Sequence, residues 1–263
     1  MTVSCSKETI EKPNIVLIVA DDLGWSDLSY MGSTYYETPN IDKLSKSGMT
    51  FYNGYASAAN CAPSRATMFS GKYHTEHGIY TVKNSDRGKR KTRKIIPIVT
   101  KSNLDLDFFV IPEMLKDLGY VNGHFGKWHL GDIGFHPENS GFDVNIGGNK
   151  HGGPGSYFAP YPYVKLEDET KGEYLTDRIG DEVVKFIDIN KENNFFAYVP
   201  FFSVHTPIQS KTDYQKKYRN KDSNEYHNRA DYAGMIQSLD ENVGKIIDKI
   251  DALNLSENTL IIF

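Results

Sequence analysis

The chain has 263 residues, 39% hydrophobic and 24% charged, with a formal net charge of −4. That composition belongs to a globular protein able to bury a sizeable core without disulfide help. The charge gives no reason to expect nucleic acid as a partner, and no apolar run approaches the length of a membrane span. The two cysteines, Cys5 and Cys61, make no disulfide framework and do not report the redox compartment.

Residues 1–13, "MTVSCSKETIEKP", are polar and read as a loose tail. The alternative is the remnant of a bacterial lipoprotein signal with Cys5 acylated, which makes export to the periplasm or a lipoprotein the expected localisation. Ile15 to Ala20 is a β-branched and aliphatic run, suited to a strand buried on both faces of a parallel sheet. "TPNIDKLSKSG" reads as a short helix with Thr38 as its cap, Pro39 in its first turn and Gly48 as its stop. "PEMLKDLGY" repeats that format, and Tyr120 to Gly126 follows as a strand.

Ile179, Val183, Phe186 and Ile187 recur at helical spacing in the next segment. "NFFAYVPFFSVHTP" is strand-like, with Pro200 forfeiting a ladder bond or marking a bulge. The longest helix presents Met235, Leu239, Val243, Ile246 and Ile250 on one face, and "NTLIIF" opens a further buried strand. Strands alternating with helices predict an α/β fold, a mostly parallel central sheet with helices on both faces. Residues 84–108 and 137–174 are weakly periodic excursions, the kind of long loop that often carries function.

Ligands in open parallel sheets gather outside the carboxyl ends of the strands. Asp21 and Asp22 stand at such an end, and two adjacent carboxylates suit a hard cation or else a helix cap with a solvated neighbour. Lys127 and His129, two apart in "GKWHLG", face one side of an extended chain. A cation beside an imidazole suits an anionic substrate and proton transfer. His205 in "SVHTP" ends the next strand. "CAPSRATMFSG" reads as a helix beginning near Pro63, with Cys61 at its positive end and Arg65 one turn on, an anion-binding setting that also lowers a thiol pKa. From these residues alone, a cysteine nucleophile and a buried structural cysteine both remain open.

Cys61-Ala62-Pro63-Ser64-Arg65, with Gly71-Lys72 behind it, resembles the hallmark of the type I sulfatases of the alkaline phosphatase superfamily. The resemblance runs from Asn14 to Phe263 and includes the acidic pair, "TPNIDKL", "GKWHLG", "GFD", "HTP" and "SLDENVG". It implies that a maturation enzyme converts Cys61 to formylglycine, whose hydrate attacks sulfur. It also implies a divalent cation, Ca²⁺ or alternatively Mg²⁺, on Asp21, Asp22 and residue 61. Arg65 would stabilise the nucleophile, and Lys127 and His205 would hold the sulfate and protonate the leaving alcohol. His129 would take the proton whose loss expels sulfate.

Family members complete the metal site with an Asp-Asn pair after a strand like "NTLIIF", then a further lysine. The chain ends at Phe263, before that position. The expectation is therefore the N-terminal portion of the catalytic domain over 14–263, with weak cation binding, little turnover and exposed apolar surface along the sheet edge.

Lys83 to Lys94 packs seven Lys/Arg into twelve residues, either a solvated loop or a steering surface for a sulfated polysaccharide. In "GGNKHGGPGSYFAPY", His151 is a candidate substrate contact, and Tyr157 and Phe158 are candidates for stacking on a sugar. A sulfated small molecule or carbohydrate is thus the expected substrate. The rivals are a phosphatase or phosphonate monoester hydrolase of the same superfamily, and a non-catalytic remnant that binds sulfated glycans. Oligomeric state has no signature in the sequence.

Overall fold

A computed structural model describes residues 12–86, 88–167 and 170–263. Cys5 and Arg87, which enter the readings of the tail and of the basic run, lie outside the described residues. In chain order the elements are β1 (Asn14–Val19), α1 (Pro39–Ser47), α2 (Cys61–Ser70), the single turn α3 (His74–His77), α4 (Ile111–Asp117), β2 (Val121–Phe125), β3 (Val144–Ile146), α5 (Leu175–Ile189), β4 (Phe195–Pro200), α6 (Thr212–Arg219), α7 (Ala230–Ala252) and β5 (Thr259–Ile262). The strands pair in the order β3-β2-β4-β1-β5, parallel throughout, with Leu17 of β1 opposite Tyr198 of β4 and Ile262 of β5.

The pleat of the sheet divides the apolar side chains between two cores. Val16, Ile18, Phe195, Ala197 and Val199 pack with α5 and α7 through Ile179, Val183, Leu239 and Val243. Phe196 and Tyr198 turn to the other face and meet Ala66 and Phe69 of α2 and Leu115 of α4. Every residue of β4 is therefore buried, which explains its unbroken apolar run. Pro200 costs no ladder bond, because it closes β4 and uses its carbonyl to accept the Lys127 N–H at 2.8 Å.

Two expectations need correction. Thr38 precedes α1 but makes no cap bond; its hydroxyl donates to Asp42 Oδ1 at 2.9 Å. The buried Asp240 of α7 caps the helix from outside, accepting the N–H groups of Asn40 at 3.0 Å and Ile41 at 2.8 Å. A carboxylate from a packed neighbour outcompetes a local hydroxyl there, since it meets two free amides and the positive helix end together. The second correction concerns β5, which is an edge strand rather than a buried one. Among the described residues nothing pairs with its far side, and Leu260 and Ile262 stay 49% and 43% exposed. They border a groove of about 460 Å³ that also includes Met49 and Phe51, so apolar surface does lie along this edge.

Candidate active site

Because the strands run parallel, the residues leaving β1, β2 and β4 arrive on one edge of the sheet. Gly126 makes the turn after β2 possible. Its φ is +126°, and a Cβ there would lie 2.2 Å from the Pro200 carbonyl oxygen. The chain thus crosses the end of β4 in close contact and drops the Lys127 side chain into the protein, fully buried. Asp21 is anchored on the other side, its N–H donating to Ser203 O at 2.9 Å and its carbonyl accepting the Val204 N–H at 2.7 Å.

Asp21 is the hub of this layer. Its Oδ1 accepts from Arg65 Nη2 at 3.2 Å and its Oδ2 from Lys127 Nζ at 2.5 Å. Arg65 reaches in from α2 and is further held by the Lys127 carbonyl at 2.8 Å and the Tyr198 hydroxyl at 3.3 Å. Burial opposes the charge on Asp21, but Arg65 and then Lys127 outweigh it and hold the carboxyl below its usual range. Two cations against one carboxylate leave one unit of positive charge in this buried cluster. Such a surplus is costly without an anion to receive it.

Cys61 is the first residue of α2, partly exposed, with its Sγ 3.3 Å from His129 Nδ1. The Cys61 thiol also lines the cleft into which these groups open. Burial, followed by Lys127 and Arg65, pushes His129 down to about 4, so at neutral pH the ring is uncharged and able to accept a proton. His205 presents both ring nitrogens to acceptors, Nδ1 to the Thr206 carbonyl at 2.7 Å and Nε2 to Asp22 Oδ2 at 3.6 Å. Asp22 and His129 both adopt left-handed backbone, at φ 60° and 61°. For residues with a Cβ this conformation costs about 1–3 kcal/mol and persists where surrounding structure enforces it, commonly at functional sites.

These groups open into a cleft of about 790 Å³, lined by Cys61, His129, His205, Lys83, Lys150 and His151 among others. The glycine-rich loop forms one wall for a steric reason. A Cβ on Gly152 would lie 2.5 Å from His129 Cε1, and one on Gly153 would lie 3.2 Å from the His205 ring. His151 stacks on Tyr163 with centroids 4.7 Å apart at 15°. Tyr157 does not serve as a sugar platform: it is fully buried, and its hydroxyl donates to the carbonyls of Phe202 at 2.6 Å and His205 at 2.9 Å. It holds the turn that carries His205. Phe158, partly exposed, packs against Tyr174 with ring centroids 5.1 Å apart.

Asp21 and Asp22 supply hard oxygen donors of the kind Ca²⁺ or Mg²⁺ prefers. Asp21 is engaged by Arg65 and Lys127, however, and among the described residues no group of three or more His, Cys, Asp and Glu side chains is arranged to hold a metal ion. Cys61 Sγ lies in hydrogen-bond range of His129 Nδ1 rather than of either aspartate carboxylate. The described residues thus contribute two donors of suitable chemistry, not a closed coordination shell.

Lys83 of the basic run and Lys150 of the glycine-rich stretch both line the cleft. Sequence reasoning missed the part played by Tyr198, since a lone tyrosine inside an apolar strand carries no local signal. The Gly152-Gly153 pair did carry one, in the density of glycines beside His151.

A family model described as Sulfatase matches residues 13–263. A sulfatase of Formosa agariphila is 33% identical, the alignment covering 98% of this chain and 58% of that protein. The N-acetylgalactosamine-6-sulfatase of Mus musculus is 30% identical over 96% of this chain and 50% of its own length. The crystal structure of Ps i-CgsB in complex with k-i-k-neocarrahexaose superposes with a TM-score of 0.77 at 33% identity, covering 95% of this chain and 57% of that one. The chain spans about half the length of the curated relatives it matches.

Proposed function

The chain belongs to the sulfatase family, and from that premise we propose that its cleft hydrolyses sulfate esters, with sulfated carbohydrates as the substrate class and Cys61 converted to formylglycine. The observation that carries this reading is the juxtaposition of Cys61 and His129, 3.3 Å apart, with a buried cluster that holds one surplus positive charge. Relatives named for N-acetylgalactosamine-6-sulfate chemistry, and a neighbour bound to a carrageenan oligosaccharide, support the carbohydrate class.

His129, uncharged at neutral pH, is placed to accept a proton from the nucleophile at position 61 through Nδ1. Arg65 and Lys127 attract the sulfate oxygens, and the Asp21 carboxylate fixes both cations so that their positions need no reorganisation during the reaction. His205, tied down by Thr206 and Tyr157, is the group placed to hand a proton to the leaving alcohol. A divalent cation held by Asp21 and Asp22 would lower the pKa of the nucleophile and neutralise sulfate charge. In a chain of the relatives' length, further donors would complete its shell.

The test is a chain of the relatives' length, co-expressed with a formylglycine-generating enzyme and assayed on an aryl sulfate and an aryl phosphonate ester. Mass spectrometry of the Cys61 peptide reports conversion separately. Sulfate release that disappears in Cys61→Ala is the expected result. Converted enzyme that cleaves only the phosphonate would overturn the proposal in favour of the phosphonate hydrolase reading.

A further inference from the structure

The excursion between α3 and α4 leaves and rejoins the fold at the rim of the cleft. Its base is closed by the Lys101 N–H donating to Gly78 O at 2.8 Å and the Tyr80 N–H donating to Thr100 Oγ1 at 2.9 Å. Lys83, just inside that base, lines the main cleft and also an adjoining hollow of about 250 Å³. The two spaces share Val82, Lys83, His129 and Lys150, so the second hollow, which Lys101 also lines, adjoins the first.

The charge along this path is one-sided. Lys83, Lys101 and Lys150 face it against a single lining carboxylate, Asp132, in a chain whose overall charge is −4. Asp132 pairs with Lys150 at 2.6 Å and Asp105 approaches Lys101 at 3.7 Å. Lys83 has no carboxylate within ion-pair distance among the described residues, and its backbone is held left-handed at φ 61°. A lysine kept in a conformation that glycine adopts without strain is not explained by folding. Further out, Arg93 closes the arm on Asp86 at 2.6 Å, whereas Lys89, Arg90, Lys91 and Lys94 have no carboxylate partners among the described residues.

We infer that the cleft takes a polyanionic glycan, with one sulfate ester at position 61, a second anionic group of the same chain on Lys83, and its continuation along the basic arm toward Lys94. This rests on the sulfate-ester reading of the cleft and adds the length and charge of its ligand. The exposed Ile95, Ile96, Ile98 and Val99 beside the basic residues would also suit an anionic membrane. The continuity of Lys83 and Lys101 with the hollows around His129 favours the glycan, because a flat bilayer does not enter such a groove.

The chain can be tested as it is, by affinity electrophoresis through dextran sulfate, with neutral dextran as control, and by sedimentation with phosphatidylserine vesicles. Retardation by dextran sulfate should weaken steeply between about 50 and about 200 mM salt. Lys83→Gly should lower affinity about three- to fivefold without lowering the unfolding midpoint, since glycine accepts the left-handed backbone. The combined Lys89→Ala, Arg90→Ala, Lys91→Ala and Lys94→Ala variant should lower it about tenfold or more. Lys245→Ala, which removes a charge from a pair with Asp181 on α5, should have no effect. Equal losses in Lys245→Ala and Lys83→Gly would reduce the effect to net charge and overturn the inference. So would unchanged binding in the arm variant, or vesicle binding without dextran sulfate binding. Because the readout is binding, its failure is distinguishable from failure of sulfate release in the matured, longer enzyme.

Discussion

Replacing Asp21 by asparagine preserves shape and removes the only negative charge from the Arg65–Asp21–Lys127 cluster. The variant leaves two buried cations, 3% and 0% exposed, without a counter-ion. Breaking a buried pair by removing one partner costs about 3–5 kcal/mol, because the remaining charge is left uncompensated. Lys127→Met is the informative comparison. It leaves the Arg65–Asp21 pair at 3.2 Å, a neutral couple, and forfeits one charge-assisted hydrogen bond, a loss of about 1.5–3 kcal/mol. The expected order is therefore Asp21→Asn more damaging than Lys127→Met, measured by urea unfolding of the chain at pH 7. A pH series adds a second reading. The folded pKa of Asp21 is depressed, so its contribution is present above the unfolded value of about 3.9 and is lost as pH falls through the folded value. That acid loss should be absent in Asp21→Asn. If Lys127→Met proves as costly as Asp21→Asn, or the acid limb is unchanged, the charge accounting of the cluster is wrong.

Other expectations concern residues around the site. His124 is fully buried against Trp128, Phe142 and Tyr198, and burial followed by Arg65 pushes it down to about 3. Its folded state binds fewer protons than its unfolded state, so stability should fall as pH drops below about 6.5. His124→Phe should flatten that decline in unfolding midpoint against pH; an unchanged slope would assign it to other groups. Gly152→Ala should displace His129 and lower kcat in the matured enzyme about tenfold or more, with little change in unfolding midpoint; undiminished kcat would show that the loop yields. Asp240→Ala removes the acceptor of one part-buried and one buried amide at the start of α1, and urea unfolding should show a loss of about 2–4 kcal/mol. A loss under about 0.5 kcal/mol would mean that water replaces the cap.

Read alone, the sequence determined the alternation of strands and helices. Unbroken and period-3.6 apolar patterns are local consequences of burial, as in the run Phe195–Pro200 and the stripe from Met235 to Ile250. It also singled out Cys61, Arg65, Lys127, His129, His205 and the aspartate pair, because their motifs occupy short, unusual stretches of chain. Their mutual geometry was decided only in three dimensions. That Asp21 joins Arg65 and Lys127, that Asp240 rather than Thr38 caps α1, and that Tyr157 supports His205 all depend on contacts between segments far apart in sequence. The edge exposure of β5 is of the same kind. Side-chain pattern reports what a strand can bury, whereas its neighbours in the sheet determine what it does bury. The continuity of Lys83 with the cleft likewise follows from where a long excursion closes on itself, which composition does not encode.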